Sequence, residues 1–64
     1  MYEVKHYGFS NGKWTTLRAN VREYATLTDA YAFARYWVDS EGGQAQVYEG
    51  SRLVNVYENG KFWR

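Results

Sequence analysis

Asn11-Gly12 constrains this chain more than any other pair of residues. Both central residues of a type I′ turn need positive φ, and Asn-Gly is the pair that meets that need at least cost. A two-residue loop there sets Ser10 against Lys13 and fixes a hairpin register outward from the turn. Phe9 then meets Trp14, Tyr7 meets Thr16, Lys5 meets Arg18 and Glu3 meets Asn20. On the other face His6 meets Leu17, Val4 meets Ala19 and Tyr2 meets Val21. The second set is apolar apart from His6 and reads as core. A one-residue slip would mix the two sets, so the pattern itself supports the register.

Two further turns organise the other end. Asn59-Gly60 is a second type I′ signal, and Gly50-Ser51 suits a type II′ turn with glycine first. They predict a three-stranded meander. Its inward residues are Ala45, Val47, Val54, Val56 and Trp63. Its outward residues are Gln44, Gln46, Tyr48, Leu53, Asn55, Tyr57 and Phe62. Between hairpin and meander, Thr26 and Asp29 have capping-box spacing, with Thr28 as a rival cap. Leu27, Ala30, Phe33, Ala34, Trp37 and Val38 form one helical stripe. Ala32, Arg35, Tyr36 and Asp39 face away, and Tyr31 sits on the boundary. Gly42-Gly43 ends the helix. The expected fold is α+β with ββαβββ order: a five-stranded antiparallel sheet and one helix packed on one face.

At 64 residues this is a single domain, spanning 1–64, with a thin stability margin. It has no cysteine and one histidine, which excludes disulfides, thiolate zinc and multi-histidine metal sites. No cofactor is expected. No apolar run reaches the roughly 18 residues of a membrane span, and the N-terminus lacks the regions of a signal peptide. The expectation is a cytoplasmic protein with no membrane partner.

Chemistry has few candidates. One histidine and no cysteine leave no nucleophile–base pair of the usual kinds. His6 reads as a core or rim residue beside Leu17. The carboxylates are scattered over turns and helix ends, and neither Asn-Gly-Lys turn is a phosphate loop. A domain this small also has little room for a pocket of about 300 Å³. The chain is expected to bind rather than catalyse.

The helix leaves one sheet face open, and six of its expected residues are aromatic: Tyr7, Phe9, Trp14, Tyr48, Tyr57 and Phe62. With Lys5, Arg18, Arg22 and Leu53 they form the expected partner-binding surface. A solvated antiparallel face is usually polar, and an exposed apolar patch usually marks an interaction site. Cross-strand ring pairs also stabilise hairpins, by about 0.2–1 kcal/mol each. Tyr, Trp and Arg suit a protein interface, including a homodimer. Rings flanked by Lys5, Arg18, Arg22 and Arg64 suit nucleic acid, although a net charge of +1 argues against phosphate binding. Arg35 and Tyr36 on the outward helix face form a secondary patch, or a solvated surface with an Arg35–Asp39 pair.

The segment Tyr24-Ala25-Thr26-Leu27-Thr28-Asp29-Ala30 follows a hairpin strand and opens a short helix that leads to another strand. In this it resembles small phage-encoded inhibitors of host machinery, such as inhibitors of host RNA polymerase and small CRISPR inhibitors. One helix against a curled antiparallel sheet is also similar to that group. The resemblance covers about half the chain. It implies a non-catalytic protein that occupies a functional surface of a host enzyme or complex. The acidic strip by which some such inhibitors mimic DNA is missing, so no functional residue carries over.

Overall fold

In the computed structural model the backbone is described throughout, and the side chains of all residues except Ser10 and residues 16–20. The expected placements of Leu17 and Ala19 inward, and of Thr16, Arg18 and Asn20 outward, lie outside the described residues.

The elements are β1 (Tyr2–Ser10), β2 (Lys13–Tyr24), α1 (Leu27–Glu41), β3 (Gln44–Glu49), β4 (Arg52–Glu58) and β5 (Lys61–Phe62). The strands form one antiparallel sheet in the order β2-β1-β3-β4-β5. The α+β architecture thus matches the sequence pattern. All three turns are where their chemistry demands. Asn11 and Gly12 have φ of 53° and 77°, Asn59 and Gly60 have 55° and 80°, and Gly50 has 61°. The helix opens on Thr26, whose hydroxyl accepts from the Asp29 amide at 3.2 Å, so Thr26 rather than Thr28 is the cap.

The core lies between α1 and the sheet. Val4, Ala30, Ala34, Trp37, Val38, Ala45, Val47 and Tyr57 are buried together. Small alanines on the helix let it sit close to the valines of β1 and β3, and Trp37 fills the remaining width. His6 is fully buried. Its ring stacks on Trp37 (6.3 Å between centroids, 17° between planes), and its Nε2 lies 2.7 Å from the Gly42 carbonyl oxygen. That contact ties the helix C-terminus to β1. Gly43 follows with φ of 82°, and a Cβ there would overlap the Tyr7 carbonyl oxygen. Only glycine lets the chain turn back so close to β1.

Two irregularities redistribute the faces. Near the first turn the register is the expected one, with Phe9 opposite Trp14 and Tyr7 opposite Thr16. Between Tyr7 and Lys5 it shifts, so Lys5 meets Val21 rather than Arg18, three residues further along. An odd shift exchanges the two faces. Val21 and Glu23 therefore stand on the open face, while Arg22, opposite Val4, and Tyr24, opposite Tyr2, stand on the helix side. The rings show what favours this: Tyr24 stacks on Phe33 at 5.0 Å and 12°.

The second irregularity is a β-bulge in β4. Tyr48 meets Leu53 as expected, but Val47 meets Asn55 and Ala45 meets Tyr57, leaving Val54 as the extra residue. Every later residue changes face. Asn55, Tyr57 and Phe62 turn toward the helix, and Val56 and Trp63 turn to the open side. Tyr57 is buried, and its hydroxyl donates to Asp39 at 2.9 Å, so Asp39 faces the sheet edge rather than solvent alone. Phe62 packs on Tyr57 and Tyr31, with centroids at 4.8 and 4.6 Å.

Candidate docking surface

The open face has two zones of different character. Its middle is polar and internally satisfied. Gln44, Gln46 and Tyr48 alternate along β3, so their side chains line one face. Tyr48 donates to Gln46 at 2.6 Å, and Gln46 donates to Gln44 at 2.8 Å. Lys5 stands beside this ladder, 3.9 Å from Glu3 and 5.1 Å from the centre of the Tyr48 ring. Glu23 lies directly opposite Glu3. Two like charges facing across a strand pair are unfavourable, and Lys5 beside Glu3 offsets that repulsion. Leu53 is half-buried next to Tyr48, and Val56 is buried on this face. Trp63 donates its indole N–H to Glu58 at 3.0 Å at the far edge.

The second zone is the end of the β1–β2 hairpin. β3 pairs with β1 only from Tyr2 to Tyr7, and α1 closes at Gly42 beside His6. Beyond that point the two strands run on with no third strand and no helix layer. The molecule is accordingly elongated, 33 Å against 20 and 19 Å. Phe9 and Trp14 sit on this arm, 60% and 46% exposed, with ring centroids 5.0 Å apart in an edge-to-face arrangement of 65°. That pairing holds the rings in a defined shape while leaving much of their surface to solvent.

Of the residues expected to bind a partner, Lys5, Tyr7, Phe9, Trp14, Tyr48 and Leu53 share the open face. Tyr57 and Phe62 do not, because the β4 bulge buries them toward the helix. Arg22 does not, because the β2 shift places it opposite Val4. The side chain of Arg18 lies outside the described residues. Arg35 and Tyr36 are exposed on the outward helix face. Asp39 bonds to Tyr57, leaving the expected Arg35–Asp39 pair unsupported. Pattern reading missed Val21, Glu23 and Trp63, which the shifts bring to the open side. The Val54-Asn55-Val56 stretch reads as regular alternation with Asn55 outward, so nothing in it marks the second shift, which shows only in the contacts of Asn55 with Tyr31 and of Tyr57 with Asp39.

Electrostatics add little chemistry. Burial pushes the Tyr57 phenol up, helped by its bond to the Asp39 carboxylate and by that group's charge, against a smaller lowering by Arg35. Burial likewise raises Tyr24, opposed by Arg22. Both are structural phenols at the helix–sheet seam. Among the described residues no three His, Cys, Asp or Glu side chains group to hold a metal ion. Among the described residues no helix is long and apolar enough to cross a membrane. His6, with no solvent exposure, is out of reach of a substrate. Comparison with known protein families, with curated proteins and with solved structures returned no match.

Proposed function

We propose that this chain is a non-catalytic binding protein that docks on a functional surface of a host protein complex, in the manner of small phage-encoded inhibitors. The observation that carries this reading is the Phe9–Trp14 pair, exposed on a hairpin arm that projects past the core. Folding gains little from such an arm, because a two-stranded hairpin with no third layer is marginal in water. Docking gives the rings the covering layer they lack, and Trp is the residue type most often found as an interface anchor. Tyr7, Tyr48 and Leu53 continue the same face toward the body of the sheet.

A nucleic-acid partner has less behind it. Arg22 stands on the helix side, Lys5 is occupied by Glu3 and Tyr48, and the Arg64 guanidinium donates to the Val54 carbonyl at 3.2 Å. A second copy of the chain is the remaining occupant of the face.

The experiment is capture from an extract of the native host by immobilised wild-type protein and by Trp14→Ala. The expected result is a protein retained by the first and lost by the second. A labelled single strand at two salt concentrations tests nucleic acid, where binding that weakens steeply with salt would favour that partner instead. Sedimentation at high concentration tests the homodimer, where twice the monomer mass, lost in Trp14→Ala, would show the face closed on itself.

A further inference from the structure

Charge is unevenly spread along this chain. Positions 4–22 hold no acidic residue and four bases, Lys5, Lys13, Arg18 and Arg22, a formal +4. The other positions hold four bases and seven acids, a formal −3, and the two sum to the chain's +1. The acid-free stretch is the β1–β2 arm and its root.

The arm is also two-sided. Trp14 pairs with Phe9 and Lys13 pairs with Ser10, and successive strand residues point to opposite faces. Lys13 therefore stands across the ribbon from the aromatic pair, exposed at the tip. Arg22, opposite Val4, lies on the same side as Lys13 at the root. The face behind the rings is thin there, with Gly8 opposite Thr15.

We infer that the arm inserts into an acidic cleft of a protein partner, with Phe9 and Trp14 against an apolar wall and Lys13 facing carboxylates on the other. This rests on the docking reading above and names the chemistry of the surface that is docked. Charge complementarity selects the occupant. A ribbon with two rings on one side and the Lys13 ammonium on the other, in a stretch that holds no acid, fits a cleft, which contacts both sides at once. A nucleic-acid strand fits it poorly, because stacking rings and phosphate-binding cations must line one groove. Among the described residues Lys13 and Arg22 stand on the face away from the rings, and Lys5, the one base described on the ring side, is held by Glu3 and Tyr48.

The test is selection of a random peptide library on the full chain, with oligothymidylate as a second probe. Selected peptides are expected to combine Asp or Glu with large apolar residues. Lys13→Glu should weaken them about tenfold or more, chiefly through association rate, and Lys13→Gln should weaken them less. Trp14→Ala should abolish them. Far-UV circular dichroism confirms folding, and Lys13→Gln keeps the test sound if the charge reversal disturbs the turn. Peptides that lack acidic residues, or that ignore Lys13→Glu yet are lost in Trp14→Ala, would overturn the acidic cleft and leave the docking reading standing. Failure to select peptides, or indifference to Trp14→Ala, would overturn both. Tighter binding of oligothymidylate than of any selected peptide would replace the protein cleft with nucleic acid.

Discussion

Asn55 is buried between two valines, and its carboxamide is fully used. Oδ1 accepts from the Val56 amide at 2.9 Å and from the Arg64 amide at 3.1 Å. Nδ2 reaches the Tyr31 hydroxyl at 3.3 Å and the Arg64 carbonyl at 3.4 Å. Toward Arg64 the side chain acts as a strand backbone would, donating to its C=O and accepting from its N–H. Together with the Trp63 amide, which donates to the Val56 carbonyl at 2.8 Å, this holds residues 63 and 64 against β4 beside the bulge. Asn55→Ala should cost about 2–3 kcal/mol in urea unfolding, because it leaves partly buried donors without partners. A cost near zero would mean that the hub is dispensable. Tyr57 gives a second prediction at this scale. Its folded pKa lies above 10.0, so the protein favours the neutral phenol. The resulting stability is fully present below about pH 10 and is lost as pH rises through the folded value. Wild-type protein should therefore lose more stability than Tyr57→Phe between about pH 8 and about pH 11. Equal losses in the two denaturation midpoints would contradict this. Tyr24, raised in the same direction, leaves a residual alkaline slope in the variant.

At the scale of elements, the turns and the helix were legible in the sequence because each depends on a local requirement. Asn11-Gly12 and Asn59-Gly60 answer to positive φ, Thr26 to an unpaired amide, and Gly42 to the positive φ of the helix C-cap. Face assignment was legible only up to the first irregularity on each side. Strict alternation carries a face along a strand without a check, so one extra residue at Val54 moves Asn55, Tyr57 and Phe62 inward and Trp63 outward. The shift in β2 does the same to Arg22 and Tyr24. What decides these shifts is tertiary: a ring stack on Phe33, and a hydroxyl that reaches Asp39. The candidate site survives where the register is unbroken, along β1 and β3, and is lost beyond the bulge. This has a direct consequence for stability. Phe62→Ala should cost about 2–3 kcal/mol, since its ring packs on Tyr31 and Tyr57. Trp63→Ala, at a residue 59% exposed, should cost under about 1 kcal/mol. An in-register β4 would invert that order, so the two denaturation midpoints test the bulge.

For the whole molecule the division is between a body packed around one core and an arm whose rings stay half in solvent. Burial is concentrated where α1 covers β1, β3 and the end of β4 at Tyr57. Past Tyr7 the hairpin continues with its rings in solvent and its acids absent. A chain of 64 residues has little stability to spare, typically a few kcal/mol, and an uncovered aromatic ribbon adds little to it. Function by docking gives that ribbon a role, and it separates the residues that should matter for binding from those that should matter for folding. Phe9, Trp14 and Lys13 belong to the first group, and Trp37, Asn55 and Phe62 to the second. The decisive measurement is the affinity of Trp14→Ala for the captured partner, read beside its unfolding curve. The expected result is a loss of about thirtyfold or more, the cost of removing one interface anchor, with a melting temperature close to wild type. Wild-type affinity in the variant, or a variant that fails to fold, would contradict the assignment of the arm as the docking element.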